Sequence, residues 1–70
     1  MKDEIYALIN PNHIDILTKL IEAYDNLGIV STLDQAVGRV VIRVTRDTWA
    51  EVMDILNNLP FEIIIEDETV

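Results

Sequence analysis

Few side chains in this sequence carry chemistry, and their surroundings decide what each could do. His13 is the only histidine, and a general base needs both a partner and a pocket. Its neighbour Asp15 would point elsewhere on a helix, so His13 is expected as an exposed residue of a first helical turn. Ser31, the only serine, would have to meet His13 without a supporting third group, so no nucleophilic triad is expected. Gly28 and Gly38 are the only glycines, which leaves no glycine-rich loop to cradle a phosphate.

Glu62, Glu66, Asp67 and Glu68 make an acidic end. Hard cations need several oxygens converging from a fixed loop. A solvated charge run is the preferred reading, and neither a metal nor a cofactor is expected. Arg39 and Arg43 flank Val41 on one face of a strand pattern, where their guanidinium groups could share one carboxylate or phosphate. The plainer reading is preferred: salt bridges to Glu62, Glu66 or a partner subunit, each weak where exposed.

Composition narrows the function classes. With 13 acidic and 5 basic residues the formal charge is −8, and Lys2, Lys19, Arg39, Arg43 and Arg46 form no run. Nucleic acid and anionic membranes are both bound through clustered cations, so neither is an expected partner. There is no cysteine, hence no disulfide framework and no thiolate chemistry. The apolar stretches at Ile5–Ile9 and Ile63–Ile65 are far shorter than the roughly 20 residues of a membrane span. Met1-Lys2-Asp3-Glu4 is charged and no signal-peptide apolar region follows it, so a cytoplasmic protein is expected.

Seventy residues make one domain, 1–70. A chain of this length buries only about 60% of its unfolded surface, and scaffolds this small often gain stability by oligomerising. A homodimer or larger homo-oligomer is expected on that ground.

The elements follow from pattern. Ile5–Ile9, closed by Asn10-Pro11, reads as a strand with Ile5, Ala7 and Ile9 toward the helices and Tyr6 and Leu8 on the other face. Asn10, or alternatively Asn12, caps a helix whose apolar stripe runs Ile14, Leu17, Leu20, Ile21, Tyr24 and Leu27. Gly28 is its expected left-handed stop, and Tyr24 is expected in the core with its hydroxyl at the rim. Ile29–Leu33 is a strand, and Asp34–Gly38 a turn in which Gly38 takes positive φ. In the next strand Val40, Ile42 and Val44 share one face, with Arg39, Val41 and Arg43 on the other. Thr48-Trp49-Ala50-Glu51 fits a capping box, with Asp47 as a competing cap. The second stripe, Trp49, Val52, Met53, Leu56 and Leu59, stops at Pro60, and Trp49 is expected over the sheet edge. Phe61–Ile65 is the last strand, and the 67–70 tail has no pattern.

The order strand, helix, strand, strand, helix, strand folds through right-handed crossovers into an α+β ferredoxin-like sandwich. It implies a four-stranded antiparallel sheet of order 4132 with both helices on one face. The other face is open and carries Tyr6, Leu8, Val41 and Ile64, bordered by Arg39, Arg43, Glu62 and Glu66. Apolar residues ringed by charge are the usual anatomy of an interface.

The run Glu22-Ala23-Tyr24-Asp25-Asn26-Leu27-Gly28-Ile29-Val30-Ser31-Thr32-Leu33-Asp34 resembles a family of small bacterial proteins described as a domain of unknown function. The resemblance covers nearly the whole chain, including the Pro11 helix start and the Gly38 turn. In element order the chain also resembles ACT-type regulatory domains, which bind amino acids or other small effectors, usually as dimers. Those domains commonly carry a glycine between first strand and first helix, whereas this loop is Asn10-Pro11-Asn12-His13. The expected function is a non-catalytic module that binds a small effector or a partner as a homo-oligomer. Tyr6, Leu8, Arg39, Val41, Arg43 and Ile64 are the ligand or interface candidates. One alternative is an accessory subunit docking on a partner protein through the open sheet. Another is an enzyme whose site is completed between subunits, with Tyr6, His13, Arg39 and Arg43 as its candidates.

Overall fold

The computed structural model describes residues 3–23 and 26–66. Strand β1 (Glu4–Ile9) alternates half-buried and buried positions along its length, which is the signature of a strand with one face on the core. Ile5, Ala7 and Ile9 are the buried set, as the sequence predicts.

The first helix starts where expected and then departs from a regular path. Asn10 is the cap, its side chain accepting from the Asn12 amide at 2.9 Å, with Pro11 at the first turn. A 3-10 turn, Pro11–His13, leads into α1 (Ile14–Thr18), and the chain then widens into a π-helical turn, Lys19–Ala23. Ile14, Leu17 and Ile21 stay on the buried side through all these changes of pitch. Two bonds hold the widened end. The Leu27 amide reaches back six residues to the Ile21 carbonyl at 2.9 Å, and the Glu22 carboxylate accepts from the Val30 amide at 2.7 Å. The expected core position of Tyr24 lies outside the described residues.

The helix stop corrects one expectation. Asn26, not Gly28, takes the left-handed conformation, with φ 56°; asparagine tolerates it better than most residues. Gly28 instead opens β2 (Gly28–Asp34), where an added Cβ would stand 2.5 Å from the Arg43 carbonyl oxygen. Its small size serves a close strand approach. Gly38 does what the turn predicts, with φ 80°. The strand after it is β3 (Arg39–Val44), and the β2–β3 pairing carries an irregularity between Thr32 and Asp34.

Thr48 precedes α2 (Trp49–Leu56) but makes no side-chain cap bond. Its hydroxyl lies 3.1 Å from the Thr45 amide and 3.4 Å from the Thr45 carbonyl. The capping box is therefore not formed, because the hydroxyl is engaged by the turn before the helix. The helix ends at Leu56 rather than at Leu59, and β4 (Ile63–Glu66) begins two residues after the expected Phe61.

The sheet is antiparallel with order β2-β3-β1-β4, an α+β ferredoxin-like arrangement equal to the expected order read from the other edge. The core joins Ile5, Ala7, Ile9, Val40, Ile42 and Val44 of the sheet to Leu17, Ile21, Val52 and Leu56 of the helical layer. Trp49 is half-buried against this cluster. Among the described residues no helix is long and apolar enough to cross a membrane.

Candidate functional site

The register lays the candidate residues of the open face in rows across the strands. Ile29, Arg43 and Glu4 stand opposite one another, followed by Ser31, Val41, Tyr6 and Glu66, and then Asp34, Arg39, Leu8 and Ile64. The structure thus gathers Tyr6, Leu8, Arg39, Val41, Arg43 and Ile64 on one surface. That surface is not uniform. Val41 is only 1% exposed although it lies outside the core cluster, so it is already covered within a single chain. This corrects the expectation of an open apolar centre. The side chains beside it are large and tied together. Glu4 accepts from the Tyr6 hydroxyl at 2.9 Å through one oxygen and pairs with Arg43 at 3.1 Å through the other. Arg39 pairs with Glu66 at 3.3 Å.

The two guanidinium groups are therefore directed to different carboxylates and do not converge on one anion. The Glu66 pairing was among those expected; the Glu4 pairing was not, because Glu4 precedes the apolar run from which the strand was recognised. Both pairs are solvent-exposed, and exposed pairs contribute about 0–1 kcal/mol each. Apolar surface remains exposed at the margins, with Ile64 59% and Ile29 60% accessible.

At one end of the sheet the surface turns concave. A groove of about 380 Å³ is walled by Leu8, Pro11, Val37 and Ile64, with Asn10, His13 and Glu62 as its polar members and Ile9 also contributing. Three segments build it. Strand β1 ends at Ile9 and is turned by Asn10-Pro11 into the helix. The β2–β3 turn docks on that end, the Ile9 amide donating to the Gly38 carbonyl at 2.9 Å. Strand β4 completes the wall, with Ile64 opposite Leu8. Gly38 makes the docking possible, since a Cβ there would fall on the Ile9 carbonyl oxygen.

His13 is not the exposed residue expected of it. Its ring stacks on Phe61 with centroids 4.4 Å apart and planes 23° from parallel. Its Nδ1 is buried and finds no hydrogen-bond partner among the described residues, a costly state for a polar atom. Sequence reasoning missed this contact because His13 and Phe61 are joined only through the tertiary fold. The groove itself left one readable trace, the apolar alternation that places Leu8 and Ile64 on the same face. Neither Asp15 nor Ser31 lines the groove with His13. Among the described residues no group of three or more His, Cys, Asp or Glu could hold a metal ion; Asp67 and Glu68 lie outside them.

A groove of this volume sits at the low end of the range typical for small-molecule sites, about 300–1,000 Å³. It offers apolar walls, a few fixed polar atoms and a carboxylate, which suits holding a ligand more than reacting with it. No curated protein and no solved structure matches the chain. A family described as Domain of unknown function (DUF4911) matches residues 8–63, a span that holds every residue lining the groove except Ile64, and the chain belongs to that family.

Proposed function

We propose that this chain is a non-catalytic, cytoplasmic binding module that takes a small effector in the groove at the end of its sheet and acts as a homo-oligomer. The observation that carries the reading is the groove: about 380 Å³, mainly apolar in its walls, and built partly by the loop between β1 and α1. The ferredoxin-like element order adds support, because ACT-type domains share it and bind effectors near that loop. Association is supported by the small core and by the exposed Ile29 and Ile64 at the margins of the open face.

The test is thermal melting against a panel of amino acids, nucleotides, small carboxylic acids, amines and alcohols at millimolar concentration. A ligand at ten times its Kd stabilises by about 1.4 kcal/mol, which in a domain of this size raises Tm by about 6–11 °C. A panel that leaves Tm unmoved, and leaves the backbone amide resonances around Asn10, Val37 and Ile64 unmoved, refutes the effector reading.

A further inference from the structure

The groove's lining carries a single carboxylate among mostly apolar side chains. This inference rests on the binding reading above and names the ligand class. Among the described residues Glu62 is the only acidic or Lys/Arg residue that lines the groove. Among the described residues it makes no hydrogen bond or ion pair, whereas Glu4, Glu22 and Glu66 are each committed. Arg39 lies opposite Leu8 in the neighbouring strand, but its guanidinium is turned to Glu66. Asn10 has its side-chain oxygen bound to the Asn12 amide, and His13 has its ring held against Phe61. An uncommitted carboxylate therefore stands on the wall of an apolar recess, in a chain of net charge −8 whose field raises the local concentration of cations.

We propose that the groove selects a small organic cation, an apolar body of a few carbons carrying an ammonium group. The body lies between Leu8, Val37 and Ile64, and the ammonium donates to the Glu62 carboxylate. A carboxylate ligand would face Glu62 as a like charge, and a neutral ligand would forgo the charge-assisted bond.

The experiment compares three isosteres with one branched body: isopentylamine, isopentanol and isovalerate. Each is titrated into the 15N-labelled chain while the amides of Asn10, His13, Val37 and Ile64 are followed. The amine should bind most tightly and the carboxylate most weakly. Glu62→Gln should weaken the amine about three- to tenfold and leave the alcohol unchanged, and 0.5 M salt should weaken the amine alone. Glu51→Gln, an exposed charge change on α2, serves as control and should alter nothing. Ile64→Ser, at an exposed position, should weaken amine and alcohol alike. Equal or tighter binding of the alcohol or the carboxylate overturns the selectivity, as does indifference of the amine to Glu62→Gln. Silence of all three overturns it as well. If other members of the broader panel still bind in the groove, the effector reading survives; if none does, both readings fall.

Discussion

Gly38→Ala should be the most damaging single-methyl change on the groove side of the molecule. Two independent costs meet there. The residue has φ 80°, and an alanine held in a left-handed conformation loses roughly 1–2 kcal/mol. The new Cβ would also fall on the Ile9 carbonyl oxygen. That neighbour is backbone in a central strand and cannot swing away as a side chain would. The turn must lift, and the bond from the Ile9 amide to the Gly38 carbonyl, 2.9 Å in the native fold, is stretched or lost at about 1 kcal/mol. The sum is about 2–3 kcal/mol, against a total stability of roughly 4–10 kcal/mol for a domain of this length. Thermal melting followed by circular dichroism should show Tm lowered by about 8–24 °C. Asn26→Gly is the companion measurement, because it removes a side chain from a second left-handed residue, φ 56°. It should be neutral or stabilising by up to about 1 kcal/mol. A Gly38→Ala variant that melts within 2 °C or so of the wild type would refute the docking of the turn on β1, and with it the built wall of the groove.

Val41→Asp should unfold the chain or nearly so, since it places a carboxylate at a position 1% exposed, where an uncompensated buried charge costs about 3–5 kcal/mol. Ile64→Asp, at 59% exposure, should change stability by no more than about 0.5 kcal/mol. The second variant is therefore the one whose sedimentation reports on association through the open face; a well-folded Val41→Asp would contradict the cover over that residue. Glu22→Gln should cost about 0.5–1.5 kcal/mol by weakening a charge-assisted bond and should speed amide exchange at Val30, because β2 is an edge strand and the 2.7 Å carboxylate contact shields that amide. Unchanged exchange would mean that the contact does not persist in solution.

The sheet was legible because period-2 alternation is read locally. Ile5, Ala7 and Ile9, then Val40, Ile42 and Val44, declare one face each, and the structure buries all six. The positive φ at Gly38 and the Asn10 cap were legible for the same reason, since each is chemistry within a few residues. The failures share an opposite cause. Gly28 sits next to the helix end, where a local reading makes it the stop; the actual reason, a backbone so close to β3 that an added Cβ would stand 2.5 Å from the Arg43 carbonyl oxygen, belongs to a strand paired across the turn. Thr48 has the composition of a cap, yet the Thr45 turn engages its hydroxyl. Val41 follows the alternation faithfully and is still buried, because the pattern gives the face of a side chain and not what its neighbours do above it. The stack of His13 on Phe61 is carried by no local signal at all.

The groove and the open face are not separate surfaces. Leu8 and Ile64 face each other across the β1–β4 pair, line the groove, and stand at the end of the rows that hold the paired charges. A second copy lying over that end of the sheet would cover the side chains that a small ligand contacts, so the two events must be linked. Linkage is reciprocal. If association closes the groove, ligand weakens the oligomer by the same factor by which the oligomer weakens ligand; if association completes the groove, each strengthens the other. The charge pattern favours the second sign for a cationic ligand. Each chain carries −8, and bringing two such chains together is opposed by their self-repulsion. A bound ammonium at Glu62 cancels one charge per copy near the margin where the copies would meet, and so lowers that opposition. In such an assembly the Ile64 side chain would stand in both contacts, so sedimentation of Ile64→Asp and titration of the amine would read two ends of one equilibrium.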